Sequence, residues 1–85
     1  MADHIKRKHA IAAVEDVNVL KSLIQQCALR EVDAKILYMV HVEGQDQYYI
    51  ADMLGMSVQN MRKRYYAALQ KLYRLAQIRD MVEKQ

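Results

Sequence analysis

The chain contains no proline and only two glycines, Gly44 and Gly55, among its 85 residues. A multi-stranded β fold needs many turn residues, so this scarcity argues against one and favours helices joined by few turns. The chain also has a single cysteine, Cys27, which excludes an intramolecular disulfide and a zinc site built on a cysteine pair. We therefore predict an all-α fold.

Long apolar runs and catalytic motifs are missing as well. No stretch of about 18 apolar residues is present to span a membrane, and the N-terminus lacks the apolar segment of a signal peptide. There is no nucleophile–base pair, no phosphate-binding glycine loop and no metal-ligand spacing of the histidines, so we expect neither an enzyme nor a bound cofactor or metal. These observations predict a soluble, cytoplasmic protein that does not bind a membrane.

The length and composition predict one small domain. Hydrophobic residues make up 53% of the chain, which is enough for one core and too many for a disordered chain. We expect residues 1–9 to form a flexible basic arm and residues 10–85 to form a single helical domain. The pattern predicts four or five helices in that domain, with a central helix-turn-helix at residues 47–73 and a long C-terminal helix.

Apolar residues at steps of three and four indicate where the helices lie. The predicted helices are 10–26, 32–42 (ended by Gly44), 47–54 (capped by Asp46 and ended by Gly55) and 58 to beyond 77 (capped by Ser57). Asp16 or Asn18 could divide the first of these helices or cap a shorter one. The methionines predicted to fill the core are Met39, Met53, Met56 and Met61.

Charge is distributed unevenly along the chain. Residues 10–56 have a net charge of −4, whereas residues 57–79 carry six cations and no acid. Residues 1–9 have a balance of +2, from Lys6, Arg7 and Lys8 against Asp3. Such asymmetry is typical of a protein that binds a polyanion. The basic arm itself could contact the minor groove or phosphates, or could be a solubilising tail.

The segment 48–72 has the residue types that a helix-turn-helix requires. Ala51 is small where two helices must cross, and Gly55, four positions later, permits the tight turn. The alternative is an ordinary helical hairpin, but the acid-free basic helix that follows favours a helix-turn-helix. The predicted DNA-binding residues are Ser57, Val58, Gln59, Asn60, Arg62, Lys63, Arg64, Tyr66 and Lys71. Among these, Ser57 and Lys71 are assigned to the DNA backbone and Val58 to a thymine methyl.

The other polar side chains of the second motif helix suit base edges. Gln59 and Asn60 can make paired hydrogen bonds to adenine, and Arg62 and Lys63 can reach guanine edges or phosphates. The two cations could instead be a solvated helix face, although we favour DNA contact. Arg64 turns partly back toward the core, so a structural role, a phosphate contact and base recognition all remain open for it.

Residues 43–72 contain a set of residue types at the spacing found in a known protein family. The matching residues are Glu43, Gly44, Ile50, Ala51, Leu54, Gly55, Met56, Ser57, Met61, Arg64 and Leu69. The segment resembles region 4 of bacterial sigma factors, especially the extracytoplasmic-function class, and the same spacing recurs in LuxR-type domains. The resemblance implies that the second motif helix recognises the −35 promoter element and that the domain can dock on RNA polymerase.

Two departures from the sigma pattern accompany this resemblance. Tyr48 and Tyr49 stand where the family commonly has acidic residues, which bears on polymerase docking more than on DNA binding. The 85 residues hold no counterpart of the promoter-melting region 2, so we do not expect a complete sigma factor.

The function that these patterns predict is sequence-specific binding of double-stranded DNA by a transcription regulator or sigma-like accessory factor. The alternative is a protein-interaction module that binds RNA polymerase or a regulatory partner without DNA.

Apolar residues lie beyond the motif at both ends of the chain: Ile11, Val14, Val17, Leu75, Ile78, Met81 and Val82. They predict either one apolar face folded on the other within a monomer or a symmetric homodimer.

Overall fold

The structure, a computed structural model, describes the backbone of residues 16–83 and the side chains of residues 16–78. Within that range the chain forms helices and no strand: α1 (Val17–Gln26), α2 (Glu31–His41), α3 (Gln47–Met53) and α4 (Val58–Glu83). The prediction of an all-α fold with a long C-terminal helix is confirmed. The predicted basic arm at residues 1–9, and the part of the first predicted helix before residue 16, lie outside the described residues.

Side-chain caps set the start of three helices. Asp16 and Asp46 each accept a hydrogen bond from the backbone N–H two residues further on, at 2.9 and 2.7 Å. The hydroxyl of Ser57 accepts one from the N–H three residues further on, at 3.0 Å. A cap of this kind contributes about 1 kcal/mol because it satisfies a helix N–H that would otherwise lack a partner. The predicted caps of α3 and α4 are confirmed, and Asp16 caps α1.

Two helix ends are followed by a glycine in the left-handed conformation, as predicted. Gly44 has a φ of +65° and Gly55 a φ of +67°. At the end of α3, the N–H groups of Gly55 and Met56 donate to the carbonyls of Asp52 and Ala51, at 3.2 and 3.0 Å. This pair of bonds is a Schellman motif, which satisfies the last carbonyls of a helix and turns the chain sharply. It fixes the direction in which the chain leaves α3 for α4.

One apolar core lies between the helices. Helices α2 and α4 each pack against all the other described helices. The buried residues are Leu20, Leu23 and Ile24 of α1, Ile36, Leu37 and Met39 of α2, Ile50 and Ala51 of α3, and Met61, Tyr65, Ala68, Leu69 and Leu72 of α4. Past Leu72, Leu75 and Ala76 of α4 still pack in part against this core, whereas Ile78 is 59% exposed.

Met53 is the one predicted core methionine that the structure places on the surface. Met39 and Met61 are buried and Met56 packs against the core, but Met53 is 60% exposed. The prediction for Met53 is wrong because the buried side of α3 is centred between Ile50 and Ala51. At about 100° per residue, Met53 lies roughly 110° around the helix from that centre.

We expect Gly55→Val to lower the free energy of unfolding by about 1–3 kcal/mol, because a β-branched residue strongly disfavours positive φ. A Cβ at this position would meet no atom within 4 Å, so the cost comes from the backbone conformation alone. Asparagine tolerates the left-handed region, so Gly55→Asn should lose much less. Urea unfolding followed by circular dichroism measures both variants. A Gly55→Val midpoint equal to that of the wild type would contradict the assigned turn.

Candidate nucleic-acid interface

Helices α3 and α4 are joined by the short turn that Gly55 makes possible. Ile50 and Ala51 of α3 are buried, with Ala51 only 2% exposed, and α3 packs directly against α4. A methyl side chain at position 51 lets the two helices approach closely where they pack, as the sequence predicts. The Ser57 cap then begins α4 immediately after the turn. The arrangement is a helix-turn-helix.

The exposed residues of α4 form what we call the outer face. Its members are the exposed residues from position 59 to position 74, namely Gln59, Asn60, Lys63, Tyr66, Ala67, Lys71 and Arg74. Asn60 and Lys71 are eleven residues apart, as are Lys63 and Arg74, and eleven residues complete about three helical turns. Each pair therefore lies on nearly the same line along the helix. No residue between 57 and 79 is acidic, so the outer face is uniformly cationic or neutral.

The length of α4 limits which part of the outer face can reach bases. Lys71 lies about 16 Å along the helix axis from Asn60, at 1.5 Å per residue. A B-DNA major groove is only about 12 Å wide. If the first turns of α4 enter the groove, then Lys71 and Arg74 stand outside it at the height of the phosphates. The backbone role of Lys71 stays a prediction.

Val58 does not stand on the outer face, although it was placed there by the sequence pattern. It is half-buried and packs against the core. The physical reason is its spacing, since Val58 precedes the buried Tyr65 by seven residues, which is two turns of helix. Little of its side chain is left to contact a thymine methyl.

Arg62 contacts the first helix of the motif. Its Nε donates a hydrogen bond to Oε1 of Gln47 at 2.7 Å, and both side chains are half-buried. The sequence predicts an arginine that reaches toward DNA from α4 alone. The structure adds a partner on α3, fifteen residues earlier in the chain.

Arg64 faces α2. Its Nη1 lies 3.3 Å from Oδ1 of Asp33, and the two side chains are 35% and 19% exposed. Of the roles left open for Arg64, this ion pair supports the structural one, in which the guanidinium ties α4 to α2. A partly exposed pair of this kind adds little stability by itself.

A buried tyrosine links the middle of α4 to the end of α2. The hydroxyl of Tyr65 lies 2.9 Å from Nε2 of His41, and their rings stack with centroids 5.8 Å apart. Burial raises the pKa of the Tyr65 phenol, and the neighbouring Tyr66 raises it further. Tyr66 itself is 37% exposed and its ring is tilted against that of Tyr65. The contact holds α4 in place behind its outer face.

Ser57 and Lys71 lie at the two ends of the predicted site, and both are exposed. The Ser57 oxygen accepts the capping bond, so its hydroxyl proton is the group that it can offer to a phosphate. Lys71 lies near the half-buried Cys27. Burial raises the pKa of the Cys27 thiol, and the positive charge of Lys71 acts in the opposite direction.

Two candidate residues, Gln47 and Arg74, were missed by the sequence analysis. The eleven-residue spacing from Lys63 could have indicated Arg74. No local pattern indicates Gln47, because its contact with α4 depends on how the two motif helices cross.

A group of exposed apolar side chains lies on α3, and we call it the α3 patch. Tyr48 is 62% exposed, Tyr49 44% and Met53 60%. These are large side chains on a seven-residue helix, and they pack only in part against the rest of the domain.

Membrane spans and metal clusters are both absent from the described part of the chain. No helix between residues 16 and 83 combines the length and apolar character of a membrane span. The same residues contain no group of three or more histidine, cysteine or acidic side chains placed to hold a metal ion.

The fold and the turn define a helix-turn-helix domain of the kind that carries a cationic second helix. Comparison with protein families identifies the family of this domain: the family described as sigma-70, region 4 matches residues 27–72. This match covers more than half of the 85 residues, and the chain belongs to the sigma-70 region 4 family. Members of this family are in general DNA-binding helix-turn-helix modules, and they also bind RNA polymerase.

The matched segment covers α2, α3 and the buried part of α4, and leaves α1 outside. It begins at Cys27, directly after α1, and ends at Leu72, the last buried residue among the described side chains of α4. The comparisons add nothing for the LuxR-type resemblance. Curated protein sequences and solved structures give no significant match to this chain.

Proposed function

We propose that this protein binds double-stranded DNA sequence-specifically, through the first turns of α4, and acts in the cytoplasm as a transcription regulator or sigma-like accessory factor. The observation that carries the proposal is the composition of the outer face. Gln59, Asn60 and Lys63 stand exposed together at the start of α4, directly after the turn. They offer hydrogen-bond donors and acceptors for base edges and a cation for guanine or phosphate, without an acid to repel DNA.

A homodimer would suit this function, because one helix-turn-helix contacts few base pairs and such domains commonly pair to span two half-sites. Ile78 supports the proposal, since it is 59% exposed on the part of α4 that extends past the core. In a symmetric dimer this surface would meet its own copy.

Selection of duplexes from a random library, followed by anisotropy titration, tests the proposal. We expect one enriched motif that binds far more tightly than a scrambled duplex, with an affinity that falls steeply as salt rises. Two copies of the motif centred about one helical turn apart would support the dimer. A single half-site bound by one protein would contradict the dimer alone. No binding even at low salt would contradict DNA binding altogether.

The α3 patch favours a second candidate function. Exposed apolar residues such as Tyr48 and Met53 often mark a surface that binds another protein. In this alternative the domain binds RNA polymerase or a regulatory partner without DNA. It predicts that RNA polymerase retains the protein and that the library selection enriches no duplex.

A further inference from the structure

A side-chain hydrogen bond between Gln47 and Arg62 joins the two helices of the motif. The bond runs between Oε1 of Gln47 and Nε of Arg62 over 2.7 Å. Gln47 is the first residue of α3, and Arg62 is the fifth residue of α4. The pair therefore stands where α3 and α4 come together, beside the exposed Gln59 and Lys63.

The atom that Arg62 uses for this bond determines which of its N–H donors remain available to bind DNA. An arginine side chain has five N–H donors, and four of them belong to the two Nη groups. The bond to Gln47 occupies Nε and leaves both Nη groups, which are the forked donors that contact O6 and N7 of guanine.

The same bond also restricts how Arg62 moves. A free arginine side chain loses much rotamer freedom when it is fixed against a base, and this loss opposes binding. A guanidinium that is already held at Nε, on a half-buried side chain, has lost part of that freedom before DNA arrives.

We propose that Gln47 is a positioning residue for DNA recognition: it holds the Arg62 guanidinium at Nε so that its two Nη groups face the major groove as a fork. This inference rests on the proposed DNA binding and assigns a role to a residue outside α4. Gln47 acts through Arg62, so its effect on affinity and base preference exists only while residue 62 is an arginine.

A double-mutant cycle on the selected duplex tests the proposal. Gln47→Met removes the acceptor oxygen and keeps the length of the side chain, and we expect it to weaken binding about 3- to 10-fold. Arg62→Lys keeps the positive charge but lacks the guanidinium fork, and it should weaken binding at least as much. In the Arg62→Lys protein, Gln47→Met should cause no further loss. Gln45→Met changes an exposed glutamine just before α3 and serves as the matched control, with unchanged affinity.

Base preference separates positioning from mere stabilisation of the fold. Duplexes with single base-pair changes should show that Gln47→Met and Arg62→Lys relax discrimination at the same base pair and at no other. Full affinity and preference in Gln47→Met, in a wild type that binds DNA, would overturn the inference and leave DNA binding intact. Equal losses from Gln47→Met in the wild-type protein and in the Arg62→Lys variant would also overturn it. If the wild type binds no duplex, the proposed function fails and this inference fails with it.

Discussion

Replacing Leu37 by alanine should lower the free energy of unfolding by about 2–5 kcal/mol. Leu37 is fully buried, and it lies on α2, which packs against all the other described helices. The substitution removes buried apolar surface and leaves a cavity that a core shared by several helices can fill only in part. Small domains are stable by only about 5–15 kcal/mol, so the loss is a large share of the total.

The matched control is Val19→Ala on α1, because Val19 is 44% exposed. That change should stay within about 0.5 kcal/mol of the wild type. Urea unfolding of both variants at one temperature gives the two values. If Leu37→Ala were as stable as Val19→Ala, the core packing described above would be incorrect.

Reversing the charge of Lys63 should weaken duplex binding by about 10- to 100-fold at moderate salt. Lys63 is exposed on the outer face, one turn beyond Asn60. Lys63→Glu removes a cation from the proposed interface and places a repelling charge there. Because each phosphate contact contributes about 0.9 to the slope of log affinity against log salt, the slope should flatten by at least that amount.

Lys35→Glu is the control for charge. Lys35 is also an exposed lysine within a helix, but it belongs to α2 and, together with Lys21 of α1, lines the groove between these two helices. Both variants change the net charge equally, so a general electrostatic attraction would be weakened similarly in each. We expect Lys35→Glu to change affinity less than threefold, a difference of about 0.6 kcal/mol. Equal losses of affinity in the two variants would show that DNA does not bind at the outer face of α4.

The local features of the fold could be predicted from the sequence because each has a nearby chemical cause. Asp46 and Ser57 cap helices that start one residue later, and Gly55 adopts the positive φ that its position requires. Helix bounds follow from the spacing of apolar residues, so α2 and α3 differ from their predicted limits by a single residue.

Features that depend on how the helices cross could not be predicted in the same way. The bonds Gln47–Arg62 and Arg64–Asp33 join residues 15 and 31 positions apart. Nothing in the local pattern indicates either partner. Ala28 is a further example, since it adopts a φ of +52° after α1 where a glycine would be expected. The two helices that Ala28 joins, α1 and α2, pack against each other, and no local pattern indicates this turn.

The most direct test compares the backbone amide chemical shifts of the free protein with those of the protein bound to its selected duplex. The largest changes should fall on the outer face at the start of α4, at Gln59, Asn60 and Lys63, with smaller changes at Lys71 and Arg74. Residues on the far side of α1, such as Val19, should not shift. Changes concentrated on α1 or on the α3 patch, with the start of α4 unaffected, would contradict DNA recognition by this helix.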